Sequence, residues 1–84
     1  MEKIEARKSV LAVVKCVDED VCSELIEKGN IEDIKLSEYF DSLDIIVLNI
    51  EILARYPKAA YISKDSLSKD TTLGDLIDFF TEKL

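Results

Sequence analysis

The stretch EYFDSLDIIVLNIEIL, residues 38–53, decides how the rest of the chain is interpreted. Its tetrapeptide Asp41-Ser42-Leu43-Asp44 opens a long apolar run in which only Asn49 and Glu51 are polar. A serine is common at a helix start, because its oxygen can accept a backbone N–H. An exposed hydroxyl in the same place also suits the covalent attachment of a group. Ser42 is therefore either a helix cap or an attachment point.

Two long helices are predicted around this stretch. Apolar residues recur at helical spacing over residues 2–17, which predicts a first helix. A central helix is predicted from about Ser42 to Tyr56, because Pro57 cannot continue it. The chain shows no strand-like alternation, so the predicted fold class is all-α.

Two further helices are predicted after Pro57. A short third helix is expected around Ser63–Leu67, and the sequence TTLGDLIDFF opens the last helix. Thr72 and Asp75 have the spacing of a capping box there. The apolar stripe of the last helix consists of Leu73, Leu76, Ile77 and Phe80.

Residues 18–41 are predicted to be a long connection between the first and central helices. Val21, Leu25 and Ile26 indicate only a short helical turn, which Gly29-Asn30 would end. The prediction is thus a small four-helix bundle of three main helices and a short one. The side chains expected to pin the connection are Ile31, Ile34, Leu36 and Phe40.

The length, charge and cysteines of the chain limit the kinds of protein that it can be. The 84 residues predict one domain, 1–84. The net charge is −7, and residues 18–51 hold eleven acids but only two bases, which argues against nucleic acid and for basic partner surfaces. Cys16 and Cys22 lack redox or zinc-site spacing and are expected to be reduced, one on a helix and one in a loop. No segment predicts a membrane span, so a cytoplasmic location is expected.

The residues give no sign of an enzyme. The chain contains no histidine, so Ser42 has no usual general base, and no G-x-S-x-G turn surrounds it. No pair of residues forms a recognisable nucleophile and base. The expectation is a protein without catalytic residues or a metal of its own.

The order of these elements resembles the acyl carrier protein family. The resemblance runs from IEARKSVLAVVKCV through DSLD to TTLGDLIDFF, and the central motif and last helix are its most specific parts. The segment of residues 18–40 matches poorly. The resemblance implies an acyl-carrier-like helical bundle.

The resemblance also implies roles for the motif residues. Ser42 would carry 4′-phosphopantetheine, transferred from coenzyme A and linked through a phosphodiester. Asp41 would contact Mg²⁺ in the complex with the phosphopantetheinyl transferase. Leu43 would belong to both the attachment motif and the partner surface, and Asp44 completes the motif.

The implied function is that of a carrier in fatty-acid or specialised lipid or lipopolysaccharide biosynthesis. The terminal thiol of the arm would hold an acyl chain as a thioester. The expected partners are the phosphopantetheinyl transferase and acyl-loading and acyl-transfer enzymes. Alternatives are an aminoacyl, peptidyl or polyketide carrier, or a helical interaction module that is never modified.

The chain departs from the family pattern before the motif. Tyr39 stands two residues before Asp41, where carrier proteins usually have glycine. Glycine permits backbone angles that tyrosine adopts only at a cost, so the loop is expected to approach Ser42 differently. Tyr39 and Phe40 either cover the base of the arm or fill the small core.

The central helix departs from the pattern as well, because apolar residues line two opposite sides of it. At about 100° per residue, one side is expected in the core and the other outward. The inner face consists of Ile45, Leu48, Ile52 and Tyr56. The outer face consists of Leu43, Ile46, Val47, Ile50, Leu53 and Ala54. In carrier proteins this face usually carries several acidic residues, and the positions where the resemblance would place them hold Val47, Leu53, Ala54 and Arg55.

Two hypotheses explain the apolar outer face. In the first, the outer face is exposed and, with Asp44, recognises dedicated partner enzymes that present an apolar groove instead of a basic patch. The protein is then expected to be a monomer with weak self-association through this face. In the second, the long connection or the short third helix folds across it and buries it.

Overall fold

The computed structural model describes residues 1–59 and 67–84. Within them the chain forms four α-helices and one 3-10 turn, Leu36–Glu38, and no strand. The all-α prediction and the small helical bundle are confirmed. The short helix predicted around Ser63–Leu67 lies outside the described residues except for Leu67, which packs against the core. The helices are α1 (Lys3–Val17), α2 (Glu19–Lys28), α3 (Ser42–Arg55) and α4 (Leu73–Lys83).

Asp18 joins α1 to α2 without a loop. Its backbone is extended, so α1 ends there, and its own N–H still donates to the carbonyl of Val14 (2.8 Å). Its carboxylate accepts the N–H groups of Asp20 and Val21 at 3.0 and 3.2 Å, which caps the start of α2. Gly29, at φ +76°, ends α2 in a conformation that favours glycine.

The prediction of an irregular connection is therefore wrong over Glu19–Lys28. Val21, Cys22 and Leu25 form one buried face of a regular ten-residue helix. The acidic run after Val17 contains the cap and the favourable first-turn charges of α2. The expectation that one cysteine lies in a loop is wrong for the same reason, since Cys16 lies in α1 and Cys22 in α2.

The valine-rich face of α1 forms the centre of the core. Val10, Val13 and Val14 are almost completely buried, and α1 packs against α2, α3 and α4. The edge of Tyr56 meets the ring of Phe80, with centroids 5.1 Å apart. No charged or polar residue is buried in the described ranges.

The remainder of the long connection, residues 29–41, agrees with the prediction. Ile31, Leu36 and Phe40 are buried and Ile34 packs against the core from its edge. These side chains hold a segment that has little regular structure beyond the 3-10 turn.

Backbone hydrogen bonds fasten residues 32–37 to the entrance of α4. The N–H of Leu36 donates to the carbonyl of Thr71 (2.8 Å), and the N–H of Leu73 donates to the carbonyl of Ile34 (2.9 Å). The N–H of Gly74 donates to the carbonyl of Glu32 (3.0 Å). We call these bonds between residues 32–37 and 69–74 the backbone clamp.

The predicted capping box of α4 is confirmed. The N–H of Asp75 donates to the hydroxyl oxygen of Thr72, and the N–H of Thr72 donates to the carboxylate of Asp75, both at 3.0 Å. The predicted apolar stripe of the last helix is entirely buried.

Gly74→Ala should weaken the backbone clamp. A Cβ at this position would lie 2.6 Å from the carbonyl oxygen of Glu32, which is a backbone atom. Overpacking of this kind costs about 1–3 kcal/mol, whereas alanine gains up to about 1 kcal/mol in helix propensity. We expect a net loss of about 1 kcal/mol in the free energy of unfolding, measured by urea denaturation.

Asp78→Ala, at an exposed position of α4, is the matched control and should change that free energy by at most about 0.5 kcal/mol. A Gly74→Ala variant as stable as the wild type would contradict the close approach of these two backbones.

Candidate functional site

Asp41, not Ser42, caps the central helix α3. The backbone of Asp41 is extended, and its carboxylate oxygen Oδ1 accepts the N–H of Asp44 at 2.8 Å. Its carbonyl accepts the N–H of Ile45 at 3.0 Å. The interpretation of Ser42 as the cap is therefore wrong, because Ser42 is already the first residue of α3 and Asp41 before it provides the capping oxygen.

Ser42 is the first residue of α3 and is exposed. Its hydroxyl makes no hydrogen bond with any residue in the ranges 1–59 and 67–84. The carboxylate of Asp41 already satisfies an N–H group of the first turn. The hydroxyl is thus presented to solvent at a helix N-terminus without a structural task among the described residues.

The loop before the motif reaches Ser42 without backbone strain. Tyr39 has φ −126° and ψ −17°, and no residue other than glycine has a positive φ in the described part of the chain. The expected cost of tyrosine at the family's glycine position is absent. The 3-10 turn directs the chain here, since Leu36 accepts N–H groups from both Tyr39 and Phe40 at 3.1 and 2.8 Å.

The two aromatic residues before the motif belong to the core more than to the site. Phe40 is buried, and Tyr39 is half-buried and packs against the core. This supports the hypothesis that the pair fills the core, most clearly for Phe40.

An open cleft of about 260 Å³ lies beside Ser42. One side of the cleft is formed by the start of α3 and the other by the segment before α4. Residues that are far apart in the sequence therefore face each other across it. The cleft is lined by Ser42, Ile45, Ile46, Leu67, Ser68 and Lys69. Leu67, Ser68 and Lys69 were not predicted to lie at this site, since no local pattern places them beside Ser42.

The outer face of α3 is exposed over most of its length. Leu53 is half-buried and Ala54 is exposed, whereas Ile45, Leu48 and Ile52 of the inner face are buried as predicted. The hypothesis that the long connection buries the outer face is therefore wrong, and the short third helix named as the alternative cover lies outside the described residues except for Leu67. The exposed fractions are 67% for Leu43, 56% for Ile46, 38% for Val47 and 58% for Ile50.

Carboxylates border the site and the outer face. Asp41 precedes Ser42, and Asp44 and Glu51 are seven residues apart, which places them along one edge of the outer face. Among the described residues the one ion pair joins Lys3 to Glu32 (3.2 Å), so these three carboxylates have no cationic partner there. A partner that docks on this side would meet an apolar surface with a negative edge.

Arg55 at the end of α3 is turned towards α1. Its guanidinium donates to the sulfur of Cys16 at 2.7 Å. The positive charge of Arg55 therefore lies at the end of α3 opposite Ser42, and the start of α3 keeps its acidic surroundings.

The function of this chain is inferred from its residues and their geometry, because comparisons with known proteins provide no guide to it. No family model, curated protein or solved structure matches this chain. In residues 1–59 and 67–84, no helix is long and apolar enough to cross a membrane. In the same ranges, no group of three histidine, cysteine or acidic side chains gathers to hold a metal ion.

Alanine at Asp41 should affect stability more than alanine at Ser42. Asp41→Ala removes the cap, so we expect the free energy of unfolding to fall by about 1 kcal/mol. Ser42→Ala removes an exposed hydroxyl and should change it by at most about 0.5 kcal/mol. Thermal and urea unfolding of both variants measures the difference, and an equal loss would contradict the assignment of the cap to Asp41.

Neighbouring isoleucines of α3 provide a test of the two faces. Ile45→Ala should lower the free energy of unfolding by about 2–5 kcal/mol, because the side chain is buried. Ile46→Ala should change it by at most about 0.5 kcal/mol, because its side chain is largely exposed. Urea denaturation measures both, and a large loss for Ile46→Ala would reveal a buried outer face.

Proposed function

We propose that this protein is an acyl carrier whose cargo is held on a 4′-phosphopantetheine arm attached to Ser42. The observation that carries the proposal is the position of the Ser42 hydroxyl, which is exposed at the start of α3 and spared from capping by Asp41. The motif Asp41-Ser42-Leu43 supports it by resemblance to the acyl carrier protein family. The terminal thiol of the arm would hold the acyl group as a thioester.

The surroundings of Ser42 suit the attachment reaction. The serine oxygen would form a bond to the phosphorus of the pantetheine phosphate of coenzyme A. The bond to the leaving 3′,5′-adenosine bisphosphate would break, and the hydroxyl proton would pass to a base of the transferase. Backbone N–H groups at the start of α3 favour the resulting phosphodiester.

Asp41 fits a second task in the transferase complex. Its Oδ1 accepts the N–H of Asp44, and Oδ2 makes no hydrogen bond with the described residues. A carboxylate oxygen is a suitable ligand for Mg²⁺. Asp41 would thus cap α3 and contact the Mg²⁺ of the transferase with different oxygen atoms.

The outer face of α3 is the proposed contact for partner enzymes. Leu43, Ile46, Val47 and Ile50 offer an exposed apolar surface beside the arm, and Asp44 lies at its edge. This arrangement matches a partner that presents an apolar groove with basic residues beside it. Leu53 contributes less because it is half-buried, and Ala54 extends the surface towards the end of α3.

The proposed cargo is an acyl chain of fatty-acid or specialised lipid or lipopolysaccharide biosynthesis, delivered by acyl-loading and acyl-transfer enzymes. An aminoacyl, peptidyl or polyketide carrier would use the same attachment chemistry. The protein itself would act as a tethered substrate and supply no catalytic residue.

A second candidate is a helical interaction module that is never modified. The exposed outer face favours it, because an apolar surface of this kind can bind a partner without any arm. In this case the outer face would be the functional site, and Ser42 would have no part in binding.

Loading of Ser42 tests the proposal directly. The wild type and Ser42→Ala are incubated with coenzyme A, Mg²⁺ and a broad-specificity phosphopantetheinyl transferase, and their intact masses are measured. We expect one added phosphopantetheine on the wild type and none on Ser42→Ala. Ser37→Ala, at an exposed serine of the 3-10 turn, is the matched control and should be loaded like the wild type.

A wild-type protein that several transferases leave unmodified, and that is also unmodified when isolated from its native cell, would contradict the carrier. Binding of a native partner that persists in Ser42→Ala and is lost in Ile46→Asp would then favour the interaction module.

A further inference from the structure

The cleft beside Ser42 is lined by a lysine that does not belong to the attachment motif. Lys69 lines the cleft together with Ser42, although the two residues belong to separate parts of the chain. The fold thus places a lysine on the wall of a cleft whose Ser42 end is acidic, since Asp41 precedes Ser42 and Asp44 follows in the same turn. A phosphodiester on Ser42 would add a further negative charge beside these carboxylates.

We infer that the cleft binds the part of the arm nearest to Ser42, with Lys69 contacting the phosphodiester and the apolar wall contacting the geminal methyl groups of the pantetheine. This inference rests on the proposed function. It assigns to Lys69 a positioning role that follows from the cleft and not from the Asp-Ser-Leu motif.

The wall that carries Lys69 is held in place by hydrogen bonds on both sides of it. The carbonyl of Lys69 accepts the N–H of Ser37 (3.3 Å), and the carbonyl of Thr71 accepts the N–H of Leu36 (2.8 Å). The hydroxyl of Thr71 accepts the N–H of Ser68 (3.1 Å). These hydrogen bonds fasten the backbone of residues 68–71 to the 3-10 turn, which lowers the cost of ordering this wall when the cleft is occupied.

The size and composition of the cleft match a part of the arm. Pockets that enclose a whole drug-sized ligand measure about 300–1,000 Å³. This cleft measures about 260 Å³ and is open, so it suits a short segment more than a complete acyl-pantetheine. Ile45, Ile46 and Leu67 provide apolar surface, and Lys69 provides a cation for an anion at the Ser42 end.

Because the arm would be covalently attached to Ser42, a shallow cleft is sufficient to bind it. A group tethered to Ser42 remains beside the cleft at an effective concentration in the millimolar range or above, so weak contacts hold it for a large share of the time. The remainder of the arm, with the thioester, would extend past the cleft towards the outer face.

Spectra of the protein before and after loading test this inference. The intact mass first establishes that Ser42 carries the arm. Loading should then shift the backbone amide resonances of Leu67, Ser68 and Lys69, and the geminal methyl groups of the arm should show nuclear Overhauser contacts to the methyl groups of Ile46 and Leu67. Lys69→Gln should lose most of these shifts and contacts while still being loaded.

Two controls separate a phosphate contact from a general charge effect. Lys58→Gln, an exposed lysine after the far end of α3, should behave like the wild type. The shifts at Lys69 should shrink between about 0.01 M and 1 M salt, because the screening length falls from about 30 Å to about 3 Å.

The outcomes distinguish this inference from the proposed function. A protein that cannot be loaded at Ser42 would overturn both. A loaded protein whose resonances at residues 67–69 do not move, or move equally in Lys69→Gln, would contradict binding of the arm in the cleft. The proposed carrier function would be unaffected by that result.

Discussion

Burial of the valine-rich face of α1 is the constraint on which the rest of the structure depends. Among the described helices, α1 alone packs extensively against each of the others, whereas α2, α3 and α4 make few contacts with one another. Each of those helices therefore approaches α1 more extensively than it approaches the other two. Since burial of apolar area is the dominant favourable contribution to folding, the position of α3, and with it of Ser42, is set by a helix that contributes nothing to the site.

The start of α3 divides two tasks between adjacent residues. Asp41 satisfies an N–H group of the helix, and Ser42 presents an unused hydroxyl. The two faces of α3 are divided in the same way, because the inner face is buried against the core and the outer face remains exposed. A helix that is apolar all round is usually buried on all sides. The outer face of α3 is exposed instead, and of all the features of the structure this exposure most needs a binding partner to explain it.

The sequence predicted those elements whose signals are local. The bounds of α1 and α3, the capping box of Thr72 and Asp75, and the two faces of α3 all follow from spacing within one helix. The length of α2 was underestimated, although its end at Gly29 was predicted, because Asp18 ends one helix and caps the next, so that no loop separates them and the acidic run resembles a linker.

The candidate site was predictable in part. Ser42 and its exposure followed from the motif, but the cap was misassigned, because aspartate and serine are both good capping residues and the local sequence does not distinguish them. The side of the cleft formed by residues 67–69 could not be predicted at all. It depends on pairing between residues 32–37 and 69–74, which no local pattern reveals.

The backbone clamp also has a consequence for how the chain folds. It closes a long loop that contains all of α3, so its formation carries a larger loss of chain entropy than the α1–α2 contact, which joins neighbours in the sequence. Contacts between distant segments form late when their closure is entropically costly. The two walls of the cleft therefore meet only when most of the chain has folded, and an incompletely folded molecule would present the serine without the surroundings that distinguish it.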